Sequence, residues 1–126
     1  MKRWLLDTNA LIWFFEGSPR MDSVKSLFSL AETRVYISAV SWWEIAIKAR
    51  INKLTVDVSK LKLFVSEFNF YDLHLQKEHI DAYLDLPKIH KDPFDNMLLA
   101  QAITCPMHFI TGDSILAEYS SLVMVI

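Results

Sequence analysis

Strand-like and helix-like segments alternate along almost the whole chain, and this alternation constrains the fold more than any other feature of the sequence. Trp4 to Leu6, Val35 to Ser38, Phe70 to Leu73, His108 to Thr111 and Leu122 to Ile126 are short runs rich in β-branched, aromatic or other apolar residues, expected as strands. Helical patterns separate most of them, and strands joined by helical crossovers pair in parallel. The expected class is therefore α/β: a central parallel sheet of about five strands with helices on both faces. Phe109-Ile110 and Val123 to Ile126 have no polar face, as suits strands covered from both sides.

The helices are punctuated by recognisable caps and breakers. Ala10 to Phe15 runs to Gly17, a plausible C-terminal cap, and Ser18-Pro19 makes a turn. Met21, Val24, Leu27, Phe28 and Ala31 recur at helical spacing. Ser41-Trp42-Trp43-Glu44 matches the Ser-x-x-Glu capping box, which would open a helix running to about Ile51. Ser59 begins another, with Leu61, Phe64, Val65 and Phe68 on one side. The chain thus places two helices where a βαβ crossover needs one, and this extra hairpin is a candidate partner-binding element. Gln76 to Leu86 is expected to pack through Ile80, Tyr83 and Leu84 before Pro87 stops it. Asp92 suits an N-cap, Pro93 the first helical position and Asp95 the third, in a helix ending at Cys105 before Pro106. Ile115 to Tyr119 is a last short helix.

A chain of 126 residues suits a single domain spanning positions 1 to 126. With 52% apolar and 22% charged residues it is not a disordered protein. The longest purely apolar run, Ala10 to Phe15, is too short to cross a membrane, and Asp7 interrupts the apolar core that a signal peptide needs. A cytoplasmic protein is expected. Its lone cysteine, Cys105, excludes an internal disulfide and a cysteine-based metal cluster. Two glycines exclude a glycine-rich phosphate loop, and no histidines stand at the i, i+4 spacing of a metal pair. A net charge of −2 offers no bulk attraction for nucleic acid, leaving a local basic tract of Lys48, Arg50, Lys53, Lys60 and Lys62. Four Trp and eight Phe exceed what so small a core hides completely, so some aromatic surface is expected to meet a partner.

Candidate chemistry resides in the acids. Asp7 ends the first strand inside an apolar stretch, Glu44 follows Val35 to Ser38, Asp95 opens a helix, and Asp113 follows Phe109 to Thr111. In an open parallel sheet, ligands bind at the carboxyl ends of the strands. Four carboxylates gathered there would repel one another unless a divalent cation sat among them. Ordinary roles compete for each: a capping box or a Lys48 pair for Glu44, the helix dipole for Asp95, an N-cap for Asp92, a turn for Asp113.

Leu-Asp-Thr-Asn at Leu6 to Asn9, Ser-Trp-Trp-Glu-Ile-Ala-Ile-Lys at Ser41 to Lys48, His-Lys-Asp-Pro-Phe-Asp at His90 to Asp95 continuing into Leu98 to Ala102, and Thr-Gly-Asp at Thr111 to Asp113 occur in this order. By these motifs the sequence resembles the PIN-domain ribonucleases, in particular the VapC-type toxins of toxin-antitoxin pairs. The resemblance implies a three-layer α/β/α PIN-like fold and a metal-dependent endoribonuclease that hydrolyses RNA phosphodiester bonds and is neutralised by a cognate antitoxin. It makes Asp7, Glu44, Asp95 and Asp113 the catalytic and metal-binding quartet, with Mg²⁺ or Mn²⁺ as cofactor and Asp7 as the central ligand. Thr8, Asn9 and Thr111 become supporting polar groups, and Asp92 an accessory acid or cap. It further implies 5′-phosphate and 3′-hydroxyl products, a homodimer, and an antitoxin segment blocking the acids, with Trp13, Phe14, Trp42 and Trp43 as candidate contacts unless they are core. Two positions depart from the pattern: Asn96 replaces a frequent basic residue, and Asn52 a frequent glycine. A receiver-like Mg²⁺-binding signalling domain and a catalytically inactive PIN-fold binding module are the alternatives.

Overall fold

A computed structural model describes residues 2–88 and 91–126. Strands β1 (Lys2–Leu6), β2 (Thr33–Ser38), β3 (Tyr71–Leu73), β4 (His108–Thr111) and β5 (Val123–Val125) form one sheet in the order β3-β2-β1-β4-β5. All four pairings are parallel, with Trp4 of β1 in register with Val35 on one side and His108 on the other. The chain builds outward from β1 to β3, then returns to lay β4 on the opposite flank of β1. The topological switch point therefore falls between β1 and β4, at the very place where Asp7 leaves the sheet.

Helices α1 (Thr8–Glu16), α2 (Ala39–Arg50), α3 (Val58–Glu67), α4 (Lys77–Asp85) and α5 (Pro93–Thr104) cover this sheet. Strand side chains alternate between its faces. Trp4, Leu6, Val35, Ile37 and Ile110 point to one face, where they pack with Ala10, Leu11, Ile45, Leu61 and Val65 of α1 to α3. Leu5 and Phe109 point to the other, against Leu98, Leu99 and Ala102 of α5. Two cores separated by a sheet make the three-layer α/β/α architecture. Each fully buried aliphatic or aromatic side chain contributes about 1.5–3 kcal/mol to holding it.

Several elements differ from the sequence expectation for identifiable reasons. Helix α2 begins at Ala39, because the Ser38 hydroxyl at the end of β2 caps the Val40 N–H at 3.0 Å. Ser41 and Glu44 consequently lie inside the helix and form no capping box. Positions 21–31 do not make one helix. The turns Pro19–Met21 and Lys25–Ser29 are short 3-10 segments separated by Val24 at φ −120°, in a stretch whose serines compete with helical hydrogen bonding. Helix α4 turns His79 inward, leaving Ile80 49% and Leu84 81% exposed. Gln76 fixes that rotation, since its N–H donates to His79 Nδ1 at 3.0 Å. Of the two wholly apolar strands, β4 is buried on both faces, whereas β5 lies at the sheet edge with Val125 exposed. Asn52 adopts φ 55°, the left-handed geometry its substitution for glycine requires. Part of the aromatic excess packs on itself: Phe14 meets Phe28, Phe64, Phe68 and Phe70, tying α1 to α3, although Phe68 stays exposed.

Candidate active site

Asp7 is held from several sides at once. Its backbone N–H donates to the Ile110 carbonyl at 2.9 Å, joining the ends of β1 and β4. Its carboxylate caps α1 by accepting from the Ala10 N–H at 2.7 Å, and also accepts from the Thr111 hydroxyl and the Gly112 N–H. The residue is 3% exposed. Burial pushes its carboxyl above the usual range, the three hydrogen bonds pull against that rise, and the nearby Glu44 charge adds to it. A buried carboxylate in this state gains from a cation.

The other acids arrive from separate elements. Asp113 follows β4, where its N–H donates to Thr111 Oγ1 at 3.1 Å and its carboxylate accepts from Ile115 N–H at 3.0 Å. Asp92 is the N-cap of α5, accepting from the Phe94 and Asp95 N–H groups at 2.9 and 3.3 Å. That cap fixes the first turn of α5, which carries Asp95. Helix α5 follows α4 and not a strand in the chain, so Asp95 comes to the cleft from a helix start and not from a strand end. Glu44 sits in the second turn of α2, buried, with Oε2 paired to Lys48 Nζ at 2.8 Å. The pairing expected of an i, i+4 couple is thus present. It engages one oxygen only, since the buried Oε1 has no hydrogen-bond partner among the described residues.

Asp7, Asn9, Asp92, Asp95 and Asp113 line a common cleft of about 480 Å³, completed by Trp13, Arg20, Gly112 and Ser114. Glu44 is not part of that lining, although its charge reaches Asp7. Thr8 is absent from it as well: its hydroxyl donates to Ser41 Oγ at 3.1 Å and braces α1 against α2. His90, which opens one of the sequence motifs, lies outside the described residues. Among the described residues no three of the acids, with side chains as they lie, converge on a point that could hold a metal ion. The chemistry of the donor set nonetheless fits a hard divalent cation. It consists of carboxylate oxygens, one of them disfavoured as a bare anion and another, Glu44 Oε1, buried without a donor.

One cleft residue, Arg20, had no signal in the sequence. The Arg20 guanidinium lies over the Trp13 ring, 3.9 Å from its centroid. Trp13 in turn presses on Gly112, where a Cβ would stand 2.7 Å from ring carbon Cζ3. Only glycine permits that approach. The spacing between Trp13 and Arg20 follows from the Gly17 cap and the Ser18-Pro19 turn, which fold the chain back over α1. The turn was legible, whereas its meeting with the β4 loop was not.

A parallel sheet of this order with carboxylates at its switch point defines an α/β domain built around an acidic strand-end site. The family model for the PIN domain matches residues 4–122, and the chain belongs to that family. The receiver-like alternative is thereby set aside. Solved structures share the fold. VapBC2 from Rickettsia felis, bound to a DNA fragment from its promoter, superposes with a TM-score of 0.72 at 15% identity, covering 98% of this chain and 97% of that one. DNA-bound VapBC from Salmonella typhimurium gives 0.72 at 16% identity over 100% and 98% of the two chains. FitAcB from Neisseria gonorrhoeae gives 0.63 at 21% identity over 96% of each. No curated protein matches the chain in sequence.

Proposed function

We propose that this PIN domain, spanning residues 1–126, is the toxin of a toxin-antitoxin pair, an endoribonuclease that uses Mg²⁺ or Mn²⁺ held by Asp7, Glu44, Asp95 and Asp113. The observation that carries the proposal is the buried, hydrogen-bonded Asp7 carboxylate at the switch point, facing a cleft with Asp92, Asp95 and Asp113. A bound divalent ion supplies an acidified water and offsets charge building on the phosphodiester. The chain's own residues prepare that site. The Ala10 and Gly112 amides and the Thr111 hydroxyl orient Asp7, Asp92 sets the first turn of α5 and so aims Asp95, and Lys48 fixes one oxygen of Glu44 while leaving the other available. Hydrolysis of this type needs no side-chain nucleophile. Asn9 serves as a polar neighbour in the cleft.

The antitoxin partner is supported by the solved structures of the same fold, one of which is by name a toxin-antitoxin complex, from Klebsiella pneumoniae. Trp43, 60% exposed, is the candidate antitoxin contact among the four aromatics singled out, since Phe14 belongs to the internal cluster. A homodimer and a cytoplasmic location complete the proposal; no helix among the described residues is long and apolar enough to cross a membrane.

The test is cleavage of end-labelled structured and single-stranded RNA by the purified protein in Mg²⁺, Mn²⁺ or EDTA, alongside Asp7→Asn. Metal-dependent cutting that leaves 5′-phosphate ends and vanishes in the folded variant is the expected result. Equal cutting by the variant, or none by either protein, would move the inactive binding-module alternative to the front.

A further inference from the structure

Arg20 is the basic side chain among the described residues that line the acidic cleft. It is built in firmly. Ser18 caps the turn Pro19–Met21 through the Arg20 N–H, Met21 anchors that turn in the core at 1% exposure, and the guanidinium lies over Trp13. Its Nη2 comes within 3.3 Å of where a Cβ on Gly112 would stand, so it borders the turn that connects Thr111 to Asp113. Despite the surrounding acids, no described carboxylate forms an ion pair with it. Among the described residues this guanidinium is thus oriented over Trp13 with no carboxylate paired to it.

We propose that Arg20, propped on Trp13, is the substrate-phosphate contact of this cleft, gripping a phosphodiester of the RNA chain beside the bond to be cut. The proposal rests on the nuclease function above and adds to it the group that admits the substrate. A wall of carboxylates repels a polyanion, and a bound cation inside the cleft offsets that only at its own position. A guanidinium at the rim supplies the missing attraction in a form suited to phosphate, since its planar fork donates two parallel hydrogen bonds. Stacking on Trp13 restricts the side chain before substrate arrives, which lowers the ordering cost of the contact. Gly112 keeps the platform close to Asp113, so the phosphate held by Arg20 is delivered at the mouth of the acid site.

The experiment compares wild type, Arg20→Ala, Arg20→Lys and Trp13→Leu for single-stranded RNA cleavage in Mg²⁺, and for RNA binding in Ca²⁺ over a series of salt concentrations. Arg20 is exposed, so its variants should melt with wild type. Loss of a charge-assisted phosphate contact lowers kcat/KM by about ten- to a hundredfold in Arg20→Ala. The slope of log affinity against log salt falls by about 0.7, the value for one contact on a single strand. Arg20→Lys keeps the slope but not the full rate, and Trp13→Leu loses rate with Arg20 still present. If wild type cuts while Arg20→Ala matches it in kcat/KM and in salt slope, the Arg20 contact is refuted and the nuclease function stands. A wild type that cuts no RNA overturns both. A loss of activity in Arg20→Ala that merely tracks a lowered melting temperature would mark the Arg20–Trp13 stack as a structural brace and also overturn the proposal.

Discussion

Replacing Asp7 with Asn should raise the melting temperature of the metal-free protein. The carboxylate is 3% exposed and stands near the Glu44 charge, and taking such an ion out of water costs several kcal/mol. Hydrogen bonds from Ala10, Thr111 and Gly112 return roughly 1 kcal/mol each. Burial outweighs these bonds, so the charged form is the disfavoured one. Asn keeps the shape, still accepts the Ala10 N–H through its amide oxygen, and ranks with Asp as an N-cap. For a chain of this size each kcal/mol so relieved should raise the midpoint by about 3–5 °C, measured by calorimetry at pH 7 in EDTA. The pH dependence has a definite sign. Because the folded-state pKa of Asp7 is raised, the stability linked to its protonation is fully present below the unfolded-state pKa and is lost as pH rises through the folded one. The gap between variant and wild type should therefore open with rising pH and close in acid. Saturating Mg²⁺ should raise wild type and leave Asp7→Asn unchanged. A variant that melts lower than wild type at every pH in EDTA would show the ionised carboxylate to be a net stabiliser, and the reasoning would fail.

Other consequences follow from single contacts. Gly112→Ala places a Cβ 2.7 Å from Trp13 Cζ3, so the ring must shift; about 1–3 kcal/mol of stability should be lost, visible as a lower urea midpoint, with RNA cleavage falling as the Arg20 platform moves. Ser38→Ala removes both the cap of α2 and the buried 2.6 Å bond to Gln101 Oε1, which should cost about 2–3 kcal/mol in urea unfolding with an unchanged m-value. For activity, a metal site needs Asp7 ionised, so the acid limb of the pH–rate profile should lie above the ordinary carboxylate range and disappear from any residual activity of Asp7→Asn.

The parallel sheet and its order of elements were legible because strand and helix periods differ and each segment is uniform in period. So were Asp92 as a cap and the Glu44–Lys48 pair, both products of local spacing. What escaped depended on tertiary choice. Ser38 competes with Ser41 to open α2, and the end of β2 decides in favour of Ser38, moving Glu44 a turn into the helix. Ile80 and Leu84 satisfy an apolar stripe, yet the Gln76–His79 contact turns α4 so that His79 is buried beside Gln101. Trp13, Arg20 and Gly112 meet only because α1 and the β4 loop are neighbours across the switch point. The acids were found by their residue type and placement, whereas the basic group among them carried no such mark.

We propose that Asp7 at the end of β1, Glu44 of α2, Asp95 of α5 and Asp113 after β4 hold one divalent metal ion. This is tested most directly by titrating Mn²⁺ into the purified protein and following free Mn²⁺ by electron paramagnetic resonance, for wild type and for Asp7→Asn, Glu44→Gln, Asp95→Asn and Asp113→Asn, each checked for folding by circular dichroism. Wild type should bind saturably, Asp7→Asn should lose nearly all binding, and the other three should bind at least about tenfold more weakly. Equal Mn²⁺ binding by wild type and by a folded Asp7→Asn protein would contradict it, because the ion would then be held elsewhere.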